Sequence, residues 1–458
     1  MFSVYQRPTW AHRATFPTAR AHTRLQFGGL VRLVGLASSL LWGGCLALPA
    51  LAQDGLGLGF EQALRLAQDH SQQGVAQERA AAAARAMAIA AGQRPDPTLR
   101  LGINNLPIDG PDRGSLSRDF MTMRSVGLMQ EFTREDKRLA RSKRFEQEAQ
   151  ASAAARALAL VNLQRDTAAA WLNCFYSERM LDLLTRQRDE SRLQMDAADA
   201  AYRGGKGAQA DVLAARALVA QMDDRLDQTR RQVAVARTQL ARWVGDAAQT
   251  YAGLLASPPD ISHLPAHHAD STDIVQRHPE LVLMARQEDM AQAEVEGARA
   301  NKQADWSAEL MLSHRGPTYS NMVSLNVSVP LQWDPASRQD RELAAKLALA
   351  DQMRAQREEA TREHLAQIQT MQLEWQSSRA RLARYDSTLM PLAAQRTQAA
   401  LTTYRAGSGT LTSVLEARRA ALDVQIERLR LEMDTAQVWA QLTYLIPADH
   451  DVAAAQPN

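Results

Sequence analysis

The chain has few of the residues on which most soluble enzymes rely for chemistry. Aromatic residues make up 5% of its 458 residues, and only two cysteines are present. The sequence contains none of the common catalytic or cofactor-binding motifs: no Walker loop, no GxGxxG motif, no Cys-x-x-Cys motif and no Ser-His-Asp triad pattern stands out. It therefore offers neither catalytic residues nor a cofactor site. A formal net charge of +2 does not favour nucleic-acid binding. We therefore expect neither an enzyme nor a nucleic-acid-binding protein.

Disulfide and metal chemistry are equally poorly supported. Cys174 stands alone once an N-terminal leader is removed, and a single thiol in a helical stretch is typical of a small core residue. His267 and His268, with Asp270, lie in a proline-rich linker without the paired helical spacing of a metal site. They are interpreted as surface-loop residues, and no metal site is predicted.

A basic stretch followed by an apolar run opens the chain. The first 52 residues hold five arginines and no acidic residue, and "LVGLASSLLWGGCLALPALA" ends in a small-x-small site at Ala50–Ala52. This order predicts a secretory signal peptide over residues 1–52. Lipidation at Cys45 is the alternative, although Trp42 stands where a lipoprotein signal usually has leucine. After this segment the sequence contains no run of about 18 apolar residues, so no transmembrane helix is predicted in the rest of the chain.

The most informative feature is what the chain repeats. "AYRGGKGAQADVLAAR" begins at residue 201 and "TYRAGSGTLTSVLEAR" at residue 403. The match extends well beyond these phrases, and "VGLMQEFTRE" upstream aligns with "VSVPLQWDPA". The chain is therefore predicted to be a tandem duplication. Its parts are a first repeat over residues 53–253, a linker over 254–273, a second repeat over 274–447 and a tail over 448–458.

Each repeat is predicted to run helix, β-hairpin, long helix, glycine turn and helix. Alternating apolar and polar residues predict strands at about 98–105, 122–132, 306–314 and 321–332. Helical periodicity predicts an opening helix over 60–92, long helices over 137–202 and 338–404, and shorter helices over 208–245 and 410–446. Pro391 falls inside the second long helix and should kink it. We expect this kink to help that helix bend.

The predicted strands are about as long as tilted membrane-spanning strands need to be. Trp306 and Trp333 fall at strand ends, where an aromatic girdle would lie. A small sheet packed on a soluble helical body is the alternative. Four strands are too few to close a membrane barrel, so the membrane interpretation requires several copies of the chain to pool their strands.

This twice-repeated order behind a signal peptide resembles the TolC-type outer-membrane efflux channels over about residues 58–447. The resemblance implies a mainly α-helical fold with a membrane β-barrel contribution. Three copies would form a homotrimer with a twelve-stranded barrel in outer-membrane lipid and a periplasmic α-helical tunnel. It also implies a passive exit duct that needs no cofactor and works with a periplasmic adaptor and an inner-membrane pump.

The resemblance assigns roles to the two glycine turns. In the family they form the periplasmic tip, where the tunnel narrows and the adaptor docks. The corresponding residues here are Gly205 and Gly207 in the first repeat and Gly407 and Gly409 in the second. A plain turn between two helices, with glycine supplying a positive φ, explains the same residues structurally. The family can carry a basic lock residue at the position of Gly409.

The resemblance also implies acidic groups that face the pore axis near Tyr404. Glu416 fits that pattern, and Asp211 corresponds to Ser413, where the family commonly has an acid. A ring of carboxylates at this entrance would favour cations. The alternative is that both acids are solvated first-turn residues that complement a helix N-terminus.

Three phrases, "RPDPTLRLGINN", "NMVSLNVSVPLQWD" and "YRAGSGTLTSVLEARR", look most like the heavy-metal branch of the family, which works with RND pumps. That branch implies copper, silver, zinc, cobalt or cadmium ions as cargo. A drug-efflux or type I protein-secretion duct is the first alternative. A periplasmic adaptor or structural coiled-coil protein is less favoured, because adaptors usually carry one helical hairpin flanked by β-rich segments.

Overall fold

The computed structural model describes residues 57–246, 257–264 and 271–446. The predicted signal peptide with Cys45, the C-terminal tail, and the linker residues His267, His268 and Asp270 lie outside the described residues. Within them the chain is mainly helical and contains one four-stranded antiparallel sheet. The expectation of a mainly helical fold is confirmed.

The same order of elements occurs twice. The first repeat contains α1 (Phe60–His70), α2 (Gln72–Gly92), β1 (Thr98–Asn104), β2 (Met123–Phe132), α3 (Glu135–Arg203) and α4 (Gln209–Val244). The second contains α5 (Ser271–Arg277), α6 (Pro279–Asn301), β3 (Trp306–His314), β4 (Met322–Ser328), α7 (Gln339–Arg384), a π turn (Tyr385–Leu389), α8 (Met390–Arg405) and α9 (Leu411–Thr443). With 69 residues, α3 is about 100 Å long at 1.5 Å per residue.

Three elements differ substantially from the sequence prediction, each for a local reason. The predicted opening helix is divided into α1 and α2 at Ser71, whose backbone is extended. The two helices bury different side chains: α1 buries the large residues Phe60 and Leu64, whereas the buried residues of α2 are all alanines. β4 stops at Ser328 rather than near residue 332, because the next residue but one is Pro330, which cannot donate to a strand ladder. The second long helix is divided by the π turn that precedes Pro391.

Small side chains let the long helices approach one another. On α2, Ala81, Ala84 and Ala88 are at most 5% exposed, and Ala140 and Ala149 are buried on α3. Alanine is the best helix former and leaves little bulk between packed helices. The alanine-rich composition therefore supports both the length of the helices and their packing.

The buried aromatic side chains of the described residues all lie in one cluster, where α1, α3, α4, α7 and α9 meet. Phe60 packs edge-on against Trp171 with ring centroids 5.3 Å apart, and Trp171 stacks on Phe175 at the same distance. Cys174 is a buried free thiol in this cluster, and burial raises its pKa to about 12. The thiol is thus neutral at physiological pH.

Three tryptophans of this cluster also fix irregular segments to the helices. The indole N–H groups of Trp375 and Trp439 donate to the carbonyls of Ile261 and His263, at 3.2 and 2.9 Å. Trp171 donates to Leu58 at 3.1 Å. Because buried indole N–H groups need a partner, these bonds tie the segment before α1 and the linker between the repeats to one core. None of the described helices combines the length and apolar content that crossing a bilayer requires.

Candidate functional site

The two glycine turns have the same backbone geometry. Gly205 and Gly407 adopt positive φ values of 68° and 75°. Each donates its N–H to the carbonyl three residues earlier, from Gly205 to Tyr202 and from Gly407 to Tyr404, at 3.0 Å in both turns. A side chain is disfavoured at this backbone conformation, so glycine is required for the helix to end and the chain to reverse.

The second glycine of each turn is required for a different reason. A Cβ atom on Gly207 would lie 3.2 Å from the backbone nitrogen of Tyr202, and one on Gly409 would lie 3.1 Å from that of Tyr404. Backbone atoms cannot yield as a flexible side chain does. Each turn therefore needs two glycines: the first adopts a positive φ, and the second lies so close to the backbone of the preceding helix that a Cβ atom would crowd it.

The structure brings the two turns side by side. Thr412, next to the start of α9, donates its hydroxyl hydrogen to Asp211 in the first turn of α4 at 3.1 Å. Val212 and Leu415 meet in one buried cluster below this bond, together with Ala198 and Ala215. Residues about 200 positions apart in sequence therefore form a single surface, which we call the double turn, comprising residues 203–211 and 405–416.

The two candidate acids occupy different positions in the double turn. Asp211 is half-buried and lies in the first turn of α4. This position fits the alternative interpretation, in which the acid complements the positive N-terminal end of the helix. Glu416 is exposed and lies beyond the first turn of α9, so that alternative does not apply to it. Within the described part of the chain, neither acid makes an ion pair. Tyr404 is half-buried at the end of α8.

Three basic residues near the double turn are paired with acids, whereas Lys206 and Arg405 within it make no ion pair among the described residues. Arg203 and Arg216 both contact Asp199, the latter at 3.5 Å. Arg418 lies 3.6 Å from Glu190 on α3. These pairs reduce the positive potential near the turns and leave the charges of Asp211 and Glu416 without a cationic partner among the described residues.

Pro391 lies directly after the π turn, at the second residue of α8. Proline has no N–H to donate to the preceding turn, and single π turns commonly accommodate such a break. Arg428 of α9 fastens the turn: its Nε donates to Asp386 at 2.6 Å and its Nη1 to Glu432 at 2.5 Å. The hydrogen bond to Asp386 raises the pKa of Arg428 above its usual value. The π turn is thus held to α9 by an ion pair between Asp386 and Arg428.

A second candidate surface lies on the sheet. Two rows of large apolar residues cross all four strands in register: Leu99, Leu128, Leu310 and Leu325, then Leu101, Val126, Leu312 and Val323. All eight side chains are between 51% and 72% exposed. We call these eight residues the apolar face. Sequence alternation predicted apolar strand faces, but the alignment of the rows depends on strand register, which the sequence does not give.

The opposite side of the sheet is polar and more enclosed. Ser125 and Ser313 are 7% and 3% exposed, and Arg100 contacts Glu309 across the strands at 3.2 Å. A soluble sheet buries its apolar side, so this sheet has the reverse arrangement. β1 and β4 also have no strand partner on their outer edges among the described residues. At one end of the sheet, Phe132 and Trp306 stack with ring centroids 4.1 Å apart.

Comparisons with known proteins agree with this architecture. Residues 271–446 match the model of the family described as outer membrane efflux protein. Two solved outer-membrane proteins are similar over most of their length. The outer membrane protein VceC of Vibrio cholerae has 16% identity and a TM-score of 0.67, covering 84% of this chain and 95% of that one. The MtrE outer membrane channel of Neisseria gonorrhoeae has 16% identity and a TM-score of 0.59, covering 84% and 88%.

The transmembrane channel protein CusC is also similar, with 14% identity, a TM-score of 0.67 and coverage of 87% of this chain and 96% of that one. At these identities the similarity establishes a shared fold. The matched family is described as outer membrane efflux protein, VceC as an outer membrane protein, and MtrE as an outer membrane channel, and CusC forms a transmembrane channel. No curated protein matches the sequence significantly.

Proposed function

We propose that this chain is the outer-membrane exit duct of a tripartite efflux system and acts passively as a homotrimer. The family match over residues 271–446 and the shared channel fold support this function. The predicted signal peptide and the outer-membrane neighbours support placement in the outer membrane with a periplasmic extension. An inner-membrane RND pump would supply the energy, and a periplasmic adaptor would couple the two.

The observation that carries the proposal is the apolar face of the sheet. The exposed half to two-thirds of each of these eight large apolar side chains would cost about 1–2 kcal/mol in water relative to burial. Lipid removes that cost while the polar side faces a water-filled interior. Because β1 and β4 have free edges, β4 of one copy can pair with β1 of the next. Three copies would then close a twelve-stranded barrel.

The helices would form the tunnel below that barrel. α3 has 69 residues, and α2 and α4 together span a comparable length with 21 and 36 residues. The double turn ends this helical part and would be the periplasmic tip, where Gly205, Gly207, Gly407 and Gly409 let the chain reverse tightly. We assign adaptor docking to this surface, since it presents two similar helix turns per copy.

Cation selectivity would arise at the same tip. In a trimer, Asp211 and Glu416 would contribute six carboxylates, and Tyr404 would lie beside them. Rings of carboxylates favour cations and disfavour anions at a constriction. An acidic entrance suits divalent metal cargo, which agrees with the sequence phrases typical of the heavy-metal branch.

A cellular experiment tests the cargo. Deleting the gene should lower the tolerated concentrations of copper, silver, zinc, cobalt or cadmium ions severalfold, while tolerance of lipophilic drugs stays unchanged, because the duct would be the final exit for metal ions only. Growth inhibition across both panels is the measurement. Loss of drug tolerance with normal metal tolerance would make the protein a drug-efflux duct instead.

Two controls make that result specific. Restoring the gene should restore metal tolerance. A strain that keeps the duct but lacks the partner adaptor should remain as sensitive as the deletion strain, since a passive channel exports nothing by itself. If the adaptor is dispensable, the tripartite part of the proposal is wrong.

The π turn before Pro391 would be a joint at which the second long helix bends during opening. Replacing Pro391 with alanine restores a backbone N–H and favours a continuous α-helix. We expect Pro391→Ala to lower the open probability in single-channel recordings while leaving the amount of trimer unchanged. Leu392→Ala, one residue further along α8, is the matched control. Unchanged gating in Pro391→Ala would remove the joint from the mechanism.

A further inference from the structure

Two histidines and a glutamate meet far from the double turn and the sheet. His278 lies between α5 and α6, Glu280 lies in the first turn of α6, and His364 lies on α7. Each offers one ligand atom, and the three atoms lie within 4.8 Å of one another. Nε2 of His364 is 3.2 Å from Oε2 of Glu280. The two imidazole rings are 4.2 Å apart between centroids, with planes inclined by 35°.

This group differs from the other contacts between α6 and α7. Two turns further along α6, Glu288 is buried and lies 3.1 and 2.8 Å from Arg354 and Arg357. Burial alone would raise the pKa of Glu288, but the hydrogen bonds from the two arginines lower it below its usual value. This acid is therefore fully satisfied by the facing cations. An ordinary ion pair explains it.

His278 has no such explanation. Its side chain is 7% exposed, and Nδ1 is buried without a hydrogen-bond partner among the described residues. Buried polar atoms nearly always have a partner, so an orphaned nitrogen calls for one. A neutral imidazole has a lone pair on one of its two nitrogens, which can bind a metal ion.

We propose that His278, Glu280 and His364 form a binding site for a divalent transition-metal ion of the zinc type. Two imidazoles and one carboxylate are a common zinc ligand set, which leaves a fourth position for water. Zinc–ligand distances near 2.0–2.2 Å place tetrahedral donors about 3.4 Å apart, so the ligands need to close in by about an ångström. Glu280 and His364 already have the required separation.

The surroundings determine which ions the site accepts. The N-terminus of α6 and the nearby charge of Arg165 both disfavour a cation, and one carboxylate offsets them. A hard ion such as Mg²⁺ or Ca²⁺ gains little from imidazole, whereas Zn²⁺, Ni²⁺ and Cu²⁺ bind it well. We therefore expect selectivity for the latter group. The bound ion would join the start of the second repeat to its long helix, beside a buried cluster that contains Ile274, Leu281 and Ile368.

The test uses the purified full-length protein, with a tag free of histidine, after removal of metals by a chelator. Calorimetric titration with Zn²⁺ should show one saturable site per chain, insensitive to millimolar Mg²⁺. Substituting Co²⁺ should give the visible absorption of a tetrahedral nitrogen and oxygen site. Binding should weaken by at least about 100-fold in His278→Ala and in His364→Ala, since loss of an indirect partner alone can cost 10–100-fold.

Two further variants keep the result interpretable. His70→Ala with His314→Ala removes two exposed, described histidines that lie outside the site, on α1 and β3, and should leave Zn²⁺ binding unchanged. Glu280→Gln keeps the shape of the side chain and should fold normally while losing most of the affinity. Zn²⁺ should raise the Tm of the wild type but not that of Glu280→Gln. Absence of Zn²⁺ binding in the wild type, or its retention in the His278, Glu280 and His364 variants, would overturn the proposal; neither outcome bears on the efflux duct.

Discussion

A lysine in place of Leu325 is expected to prevent the protein from accumulating as a trimer in the outer membrane. Leu325 is 69% exposed and completes one row of the apolar face, opposite Leu310. Lysine at the middle of the lipid-facing surface of a barrel costs about 2–4 kcal/mol. Three copies would bring the penalty to roughly 6–12 kcal/mol per trimer, comparable with the whole stability of many proteins. Membrane fractionation followed by electrophoresis without heating would measure the trimer.

The neighbouring residue on the same strand provides the matched control. Asn326 points to the polar side and lies opposite Glu309. Asn326→Lys adds the same charge to the same strand, but places it beside a carboxylate, on the side that would face the water-filled interior of the proposed barrel. It should leave trimer levels near those of the wild type. If both variants accumulate equally, or if Leu325→Lys yields a stable soluble protein, the apolar face does not contact lipid.

Neutralising the entrance acids is expected to reduce cation selectivity strongly. In planar bilayers with a salt gradient, the wild-type reversal potential should indicate preference for cations. Asp211→Asn combined with Glu416→Gln removes six charges from a trimer and should move that potential toward zero. The shift should be larger in dilute salt, because screening weakens the field of the carboxylates at high ionic strength.

A pair of exposed acids elsewhere on the helices controls for net charge. Asp182→Asn with Asp227→Asn removes the same number of charges from α3 and α4, where Arg186 and Arg230 are their partners. This variant should keep the wild-type selectivity. Equal reversal potentials in all three proteins would retain the duct but place the selectivity filter away from Asp211 and Glu416.

Much of the architecture could be predicted from the sequence because the chain carries it twice. The alternation of apolar and polar residues predicted four strands, and the paired glycines predicted two turns at which one helix ends and the next runs back. The need for glycine at both positions follows from a positive φ at Gly407 and a close approach at Gly409, which are local properties. The cargo and the partners do not follow from these residues, since they depend on surfaces of other proteins.

Features that depend on distant contacts were not predictable. Proline indicated a kink at residue 391, but the π turn and its contact with Arg428 depend on the packing of α9. The adjacent histidines at 267 and 268 drew attention in the sequence, whereas His278 and His364 lie 86 residues apart and meet only because α6 packs beside α7. A short sequence spacing between histidines can reveal ligands that lie on one helix or loop, but it cannot reveal ligands that come from two separate helices.

Cryo-electron microscopy of the purified protein in lipid nanodiscs tests the central claim most directly. The account predicts three copies related by a threefold axis, a closed barrel of twelve strands with Leu325 and its row facing lipid, and β4 of each copy paired with β1 of the next. A single copy whose apolar face is covered by protein, or an assembly with open sheet edges, would contradict it.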